Sequence, residues 1–156
     1  MITIQTERWA TFYPDSKAIF PLHWQELALH QEQIPLAIDE AKYETLDRSG
    51  ILLILTARDE GRLVGYFLWF LMPHLHYNST GPMGMTDMYF VLPTYRRGTG
   101  AKLFMASEAE LHKRGIVKAI TSCKAHEDHS AFLSRLNWEL SDLTFVKLLG
   151  KRQPCL

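Results

Sequence analysis

The sequence predicts a mixed α/β (α+β) fold, a mostly antiparallel central sheet flanked by helices on both faces. Three observations predict it. Two apolar runs, residues 51–58 and 63–72, are joined by Asp59-Glu60-Gly61-Arg62, a hairpin signature with glycine late in the turn. A third run, residues 85–92, passes through a basic, glycine-bearing turn straight into a helical pattern over residues 99–114, with another strand pattern at 116–124. Helical segments lie both before the hairpin and between the later strands, so both faces of the sheet acquire a layer. A hairpin followed by a strand-loop-helix-strand unit does not suit an all-parallel, doubly wound sheet.

Each element has its own signal. Residues 2–8 alternate, with Ile2 and Ile4 on one side, and predict a strand. Residues 15–33 carry a helical pattern that Pro21 interrupts, which predicts two short helices. Residues 39–48 are helix formers, with Asp39 as N-cap and Gly50 as the stop. Ile51 to Leu55 are too continuously apolar for a half-exposed face, and Pro73 closes the returning strand. A loop rich in His, Asn, Ser, Gly and Pro follows. Helix 99–114 stops at Gly115, with Lys113 and Arg114 in its last turn, where free carbonyls favour cations. The remainder predicts a strand over 116–124, a short helix over 128–136, a brief strand near 138–140 and a final strand over 143–149.

Length predicts a single domain, residues 1–156, with enough chain for a substantial core. Apolar residues make up 47%, which argues against disorder, and 17 basic residues balance 17 acidic ones. That neutrality recommends neither nucleic acid nor an anionic membrane as partner. The apolar runs are too short for a bilayer span and no signal-peptide layout opens the chain. Cys123 and Cys155 lack metal-ligand spacing, no bridge is implied, and a reducing cytoplasm fits.

The chemistry concentrates in Val91-Leu92-Pro93-Thr94-Tyr95-Arg96-Arg97-Gly98-Thr99-Gly100-Ala101. A helix N-terminus presents unpaired N–H groups and partial positive charge, glycines admit a ligand close to the backbone, and arginines add forked donors. The pattern is neither G-x-x-x-x-G-K-[ST] nor G-x-G-x-x-G, which disfavours a triphosphate loop and a dinucleotide fold. It resembles motif A of the GNAT superfamily of N-acetyltransferases. Ala131 to Trp138 and Phe145-Val146-Lys147-Leu148 are similar to that family's later segments. With His74-Leu75-His76-Tyr77 and Thr86-Asp87-Met88-Tyr89, the ensemble is similar to small members encoded by phages and prophages, which would imply a host cytoplasm.

The resemblance implies acetyl-CoA as cosubstrate and an amine as acceptor. Phe90, Val91 and Leu92 would offer backbone groups to the pantetheine arm; Arg96, Arg97, Gly98, Thr99, Gly100 and Ala101 would hold the pyrophosphate. The loop departs from the pattern, since Pro93 reaches Gly98 in five steps and Tyr95 stands where Arg or Gln is usual. That shifts weight from the arginines to the backbone amides.

Acetyl transfer needs a polarised thioester, a neutral amine and a protonated leaving thiolate. A backbone N–H near Val91 meets the first need. Asp87, early in the same strand, is the leading base, against a structural role ending the strand or binding the preceding loop. His74 and His76 share a side on extended backbone and could act as base or orient the acceptor. Without a nearby carboxylate or Cys cluster they are a weak metal site, and no metal is expected. Glu26 and His30 have i,i+4 spacing and read as a solvated pair on the acceptor side. Leu133 stands where the family often has its acid, a Tyr, which leaves water, Tyr89, Tyr95 or Ser134. Asp128 reads as a helix cap.

Two functions stay open. One is an acetyl-CoA-dependent N-acetyltransferase working by direct transfer in a ternary complex, since no Cys near the loop favours an acetyl-enzyme. The other is a catalytically weak or inactive module of the same fold, acting through CoA binding or protein contact. A homodimer is compatible with both. Residues 74–83 and 15–32 would wall the acceptor site, and the acceptor itself is left open.

Overall fold

The computed structural model describes residues 1–150. Five strands form one sheet in the order β1 (Ile2–Glu7), β2 (Leu52–Asp59), β3 (Arg62–Pro73), β4 (Pro82–Val91) and β5 (Lys118–Ile120). The first four are mutually antiparallel, while β5 runs parallel to β4. Helices α1 (Trp9–Ser16), α2 (Phe20–Leu27) and α3 (Glu40–Arg48) precede the hairpin; α4 (Arg96–Lys113) joins β4 to β5, and α5 (Ser130–Arg135) follows.

Strand alternation builds two cores. Leu53, Leu55 and Ala57 of β2 point to the α4 side with Phe67, Trp69, Val91, Leu103 and Phe104. Leu52 and Ile54 point to the other side with Trp9, Phe12, Phe20, Tyr66, Leu68 and Phe90. Period-two burial on both faces explains why β2 and β3 are continuously apolar. The hairpin turn places both Glu60 (φ 50°) and Gly61 (φ 84°) in the left-handed region, the twist that two-residue hairpins favour.

Several boundaries differ from expectation. The first helix begins at Trp9, with Pro14 inside it, because Trp9, Phe12 and Ser16 bury one helical face. Pro21 opens α2 instead of interrupting it, sitting in a first turn whose N–H is free in any case. That helix stops at Leu27, where the Gln31 side-chain amide donates to the carbonyls of Trp24, Gln25 and Ala28. Asp39 caps α3 as expected, accepting from the Lys42 N–H at 3.0 Å. The strand expected over 116–124 is reduced to three residues. The strands expected over 138–140 and 143–149 do not form: residues 139–150 are exposed, with Phe145 at 90%. Extended segments become strands only by pairing, and the three-residue β5 offers little edge to pair with. Among the described residues no helix is long and apolar enough to cross a membrane. Cys155 lies outside them.

Candidate functional site

β4 pairs with β5 only from Met83 to Met85. Beyond that point the two strands part, and the Thr86–Val91 stretch has no strand partner on that side among the described residues. Backbone donors and acceptors along such an edge are available to an extended ligand. At its end the Leu92 N–H donates to the Val64 carbonyl at 2.9 Å, and a single turn, Pro93–Tyr95, leads to α4. Arg97 and Gly98 are non-helical, with Gly98 at φ 85°, so regular helix begins at Thr99 as expected. Thr99 and Gly100 are buried.

Gly100 has a packing role. A Cβ there would collide with the Tyr89 hydroxyl, so glycine lets β4 and α4 approach. Tyr89 packs against Phe67 and Phe104, and burial pushes its hydroxyl up to about 12.

The two arginines are used differently. Arg96 forks onto both oxygens of Glu26 at 2.7 Å and donates from Nε to the Val91 carbonyl at 3.0 Å. Its charge is therefore already matched, by α2. Glu26 pairs with Arg96 and not with His30, which lies beyond the end of α2 in a left-handed conformation. Arg97 is exposed and makes no hydrogen bond or ion pair among the described residues.

Asp87 occupies an irregularity in β4. Leu68 faces Met88 and Trp69 faces Thr86, so Asp87 is the extra residue of a bulge. Bulges re-aim side chains. Here the carboxylate turns to the α1–α3 side, where the Tyr43 hydroxyl of α3 donates to Asp87 Oδ2 at 2.6 Å. Burial raises the Asp87 pKa, and the Tyr43 bond opposes the rise. Nearby, His23 Nδ1 meets the Tyr66 hydroxyl at 2.7 Å and its ring stacks on Phe90 at 4.9 Å. Burial pushes the His23 pKa down to about 4. Neither Tyr43, Tyr66 nor His23 was expected here. Tyr43 is 44 residues from Asp87 in the chain, and no local pattern links them.

His74 and His76 are not brought to Asp87. His74 stacks on Tyr77 at 4.7 Å and borders a cavity of about 120 Å³ with Met83 and Lys118, where β4 and β5 are still paired. Asp87 lies four residues further along the strand, roughly 13 Å by strand rise. His76 is exposed. The larger concavity, about 410 Å³, lies between the α1–α2 corner and the hairpin turn, bordered by Ile19, Leu63 and Leu92. It contains none of the expected catalytic groups.

Among the three hydroxyls that could replace the missing Tyr, the Tyr95 group points to Asp59 at 3.4 Å and Ser134 is exposed. Leu133 packs into the α4-side core. The Tyr89 hydroxyl lies against Gly100 in the first turn of α4. Asp128 accepts from the Ser130 N–H at 2.8 Å, but the N-cap of α5 is His129, which makes no side-chain cap bond, so Asp128 stands one residue before the expected cap position.

Comparison with known proteins follows the same line. The sequence model described as the acetyltransferase (GNAT) family matches residues 9–136. Comparison with curated protein sequences gives no match. Among solved structures, the ribosomal-protein-alanine N-acetyltransferase of Brucella melitensis biovar Abortus 2308 has a TM-score of 0.75 and 18% identity, covering 97% of this chain and 99% of its own. An aminoglycoside acetyltransferase from an uncultured soil metagenomic sample, solved with sisomicin, has a TM-score of 0.73 and 16% identity over 96% and 97% of the two chains. A structure of AAC(6')-Iy with a bisubstrate analog of CoA has a TM-score of 0.63 and 18% identity over 99% of each. At these identities the likeness is one of fold.

Proposed function

The chain belongs to the acetyltransferase (GNAT) family, whose members use acetyl-CoA as cosubstrate, and on that premise we propose that it acetylates a primary amine by direct transfer in a ternary complex, within one domain spanning residues 1–156. The observation that carries this reading is the free edge of β4, open beyond Met85 and leading into the first turn of α4. A pantetheine arm would run along Phe90, Val91 and Leu92, with the Val91 N–H as the open donor, since the Leu92 N–H is taken by Val64 and the Val91 carbonyl accepts from Arg96 Nε. The N–H groups of Gly98, Thr99, Gly100 and Ala101 suit a pyrophosphate, and Arg97 supplies an unmatched positive charge.

In this mechanism the Val91 N–H polarises the thioester carbonyl. Asp87 takes the proton from the acceptor ammonium, and its burial lifts its basicity toward the working pH. The amine nitrogen then bonds to the carbonyl carbon as the carbon–sulfur bond breaks. As the amide forms, its nitrogen sheds a second proton, and the departing sulfur takes up one in balance, relayed by water or by Tyr89, whose hydroxyl lies against Gly100 of α4.

The test is release of free thiol from acetyl-CoA, screened across small amines, aminoglycosides, peptide N-termini and lysine peptides. Thiol release with one amine class is the expected result. A second reading, a module that binds CoA without turnover, is favoured by Leu133 packing into the core at the position of the usual acid. A melting shift with acetyl-CoA but no thiol release would select it. Neither shift nor thiol at millimolar acetyl-CoA would overturn both.

A further inference from the structure

We propose that Tyr43 is a positioning residue for this reaction, holding Asp87 by one carboxylate oxygen and leaving the other to meet the acceptor amine. The inference rests on the reading of Asp87 as the base. Its foundation is geometric. The Tyr43 ring lies face to face with Trp9, centroids 4.4 Å apart and planes within 8°. Trp9 stacks in turn on Tyr13 at 4.8 Å. On another side Tyr43 meets Phe70 at 6.4 Å.

This stack is pinned at its base. The backbone N–H of Trp9 donates to Asp47 Oδ2 at 3.1 Å, and Arg8 pairs with the same oxygen at 3.0 Å. Asp47 is four residues after Tyr43, hence on the same face of α3. Swinging the Tyr43 ring away from Asp87 would break its face contact with a fully buried tryptophan. The hydroxyl is thus delivered to one place, where the bulge of β4 turns Asp87 to receive it.

Among the described residues Asp87 has no ion pair, and its Oδ1 has no hydrogen-bond partner. The titratable groups on this side are Tyr43 from α3, Tyr66 from β3 and, bonded to Tyr66, His23 from α2. Burial favours the neutral carboxyl, and the Tyr43 hydrogen bond favours the charged one. Without that bond the base would hold its proton at a higher pH.

The experiment is a titration of the Asp87 carboxyl by carbon-13 NMR in the wild type and in Tyr43→Phe, together with pH profiles of kcat/KM. Tyr43→Phe should move the Asp87 midpoint and the acid limb of kcat/KM to higher pH. Below that limb kcat should fall about tenfold, the scale of one hydrogen bond to a charged group, while KM for acetyl-CoA stays within about twofold of wild type. In an Asp87→Asn background, Tyr43→Phe should have no further effect. An unchanged midpoint would overturn the proposal, as would an equal loss in the Asp87→Asn background. The phenylalanine keeps the ring and its stack. Should that variant fail to fold, the wild-type Tyr43 hydroxyl proton decides: it should shift with the Asp87 midpoint, and indifference to it would overturn the proposal. The NMR readouts need no turnover, so failure of the acetyltransferase reading would be seen separately, as absence of thiol release.

Discussion

Asp87 lies where burial and a tyrosine hydroxyl pull its ionisation in opposite directions. A general base contributes about 10²–10⁴-fold, so Asp87→Asn should lower kcat/KM by that order while leaving the acetyl-CoA melting shift in place. His76→Ala, at the closed end of the sheet, should change kcat/KM by less than about threefold under the same thiol-release assay. The candidate base was legible from its place early in a strand that leads to the loop. Its partner was not, because Tyr43 reaches it only after α3 packs on α1 and the sheet. Arg96 teaches the same lesson: its type suggested a phosphate contact, yet Glu26, 70 residues away, already matches its charge.

Between elements, two contacts decide how the site is held. At the junction of β4 and α4, Gly100 leaves space that the Tyr89 hydroxyl fills. Gly100→Ala should cost about 1–3 kcal/mol in urea unfolding, since the Tyr89 ring is wedged against Phe67 and Phe104 and cannot swing aside. Adding Tyr89→Phe should recover part of that loss. At the junction of α2 and the sheet, His23 is neutral in the fold, its pKa held near 4 by burial. Between that value and the unfolded 6.5, the unfolded chain binds more protons, so stability rises with pH across this window. The contribution is complete above about pH 6.5 and is lost as pH falls toward 4, amounting to about 3 kcal/mol. Unfolding measured from pH 4.5 to 7 should show this slope in the wild type and a flatter one in His23→Gln. The hairpin and the α3 cap were legible because their signals are local turn and capping chemistry. The start of α1 was not, since burial of Trp9 and Phe12 overrides the proline within it.

For the whole molecule, a ligand that binds only the folded state stabilises it by mass action. At a hundredfold excess over Kd this is about 2.7 kcal/mol, and roughly 2–4 °C per kcal/mol applies at this chain length. Acetyl-CoA should therefore raise the melting temperature by about 5–10 °C, measured by scanning fluorimetry. The sequence by itself determined the order of elements as far as α5, the hairpin and the basic turn entering α4, because side-chain period and turn residues act over a few positions. The family and its cosubstrate came from the resemblance that the basic turn carries. Only the tertiary structure decided where β4 parts from β5, which arginine remains unmatched, and which hydroxyl meets Asp87. It also left the C-terminal segment unpaired, against the strand pattern it carries. Those outcomes depend on which surfaces pack across tens of residues, and packing is a property of the assembled layers that no short stretch of chain encodes.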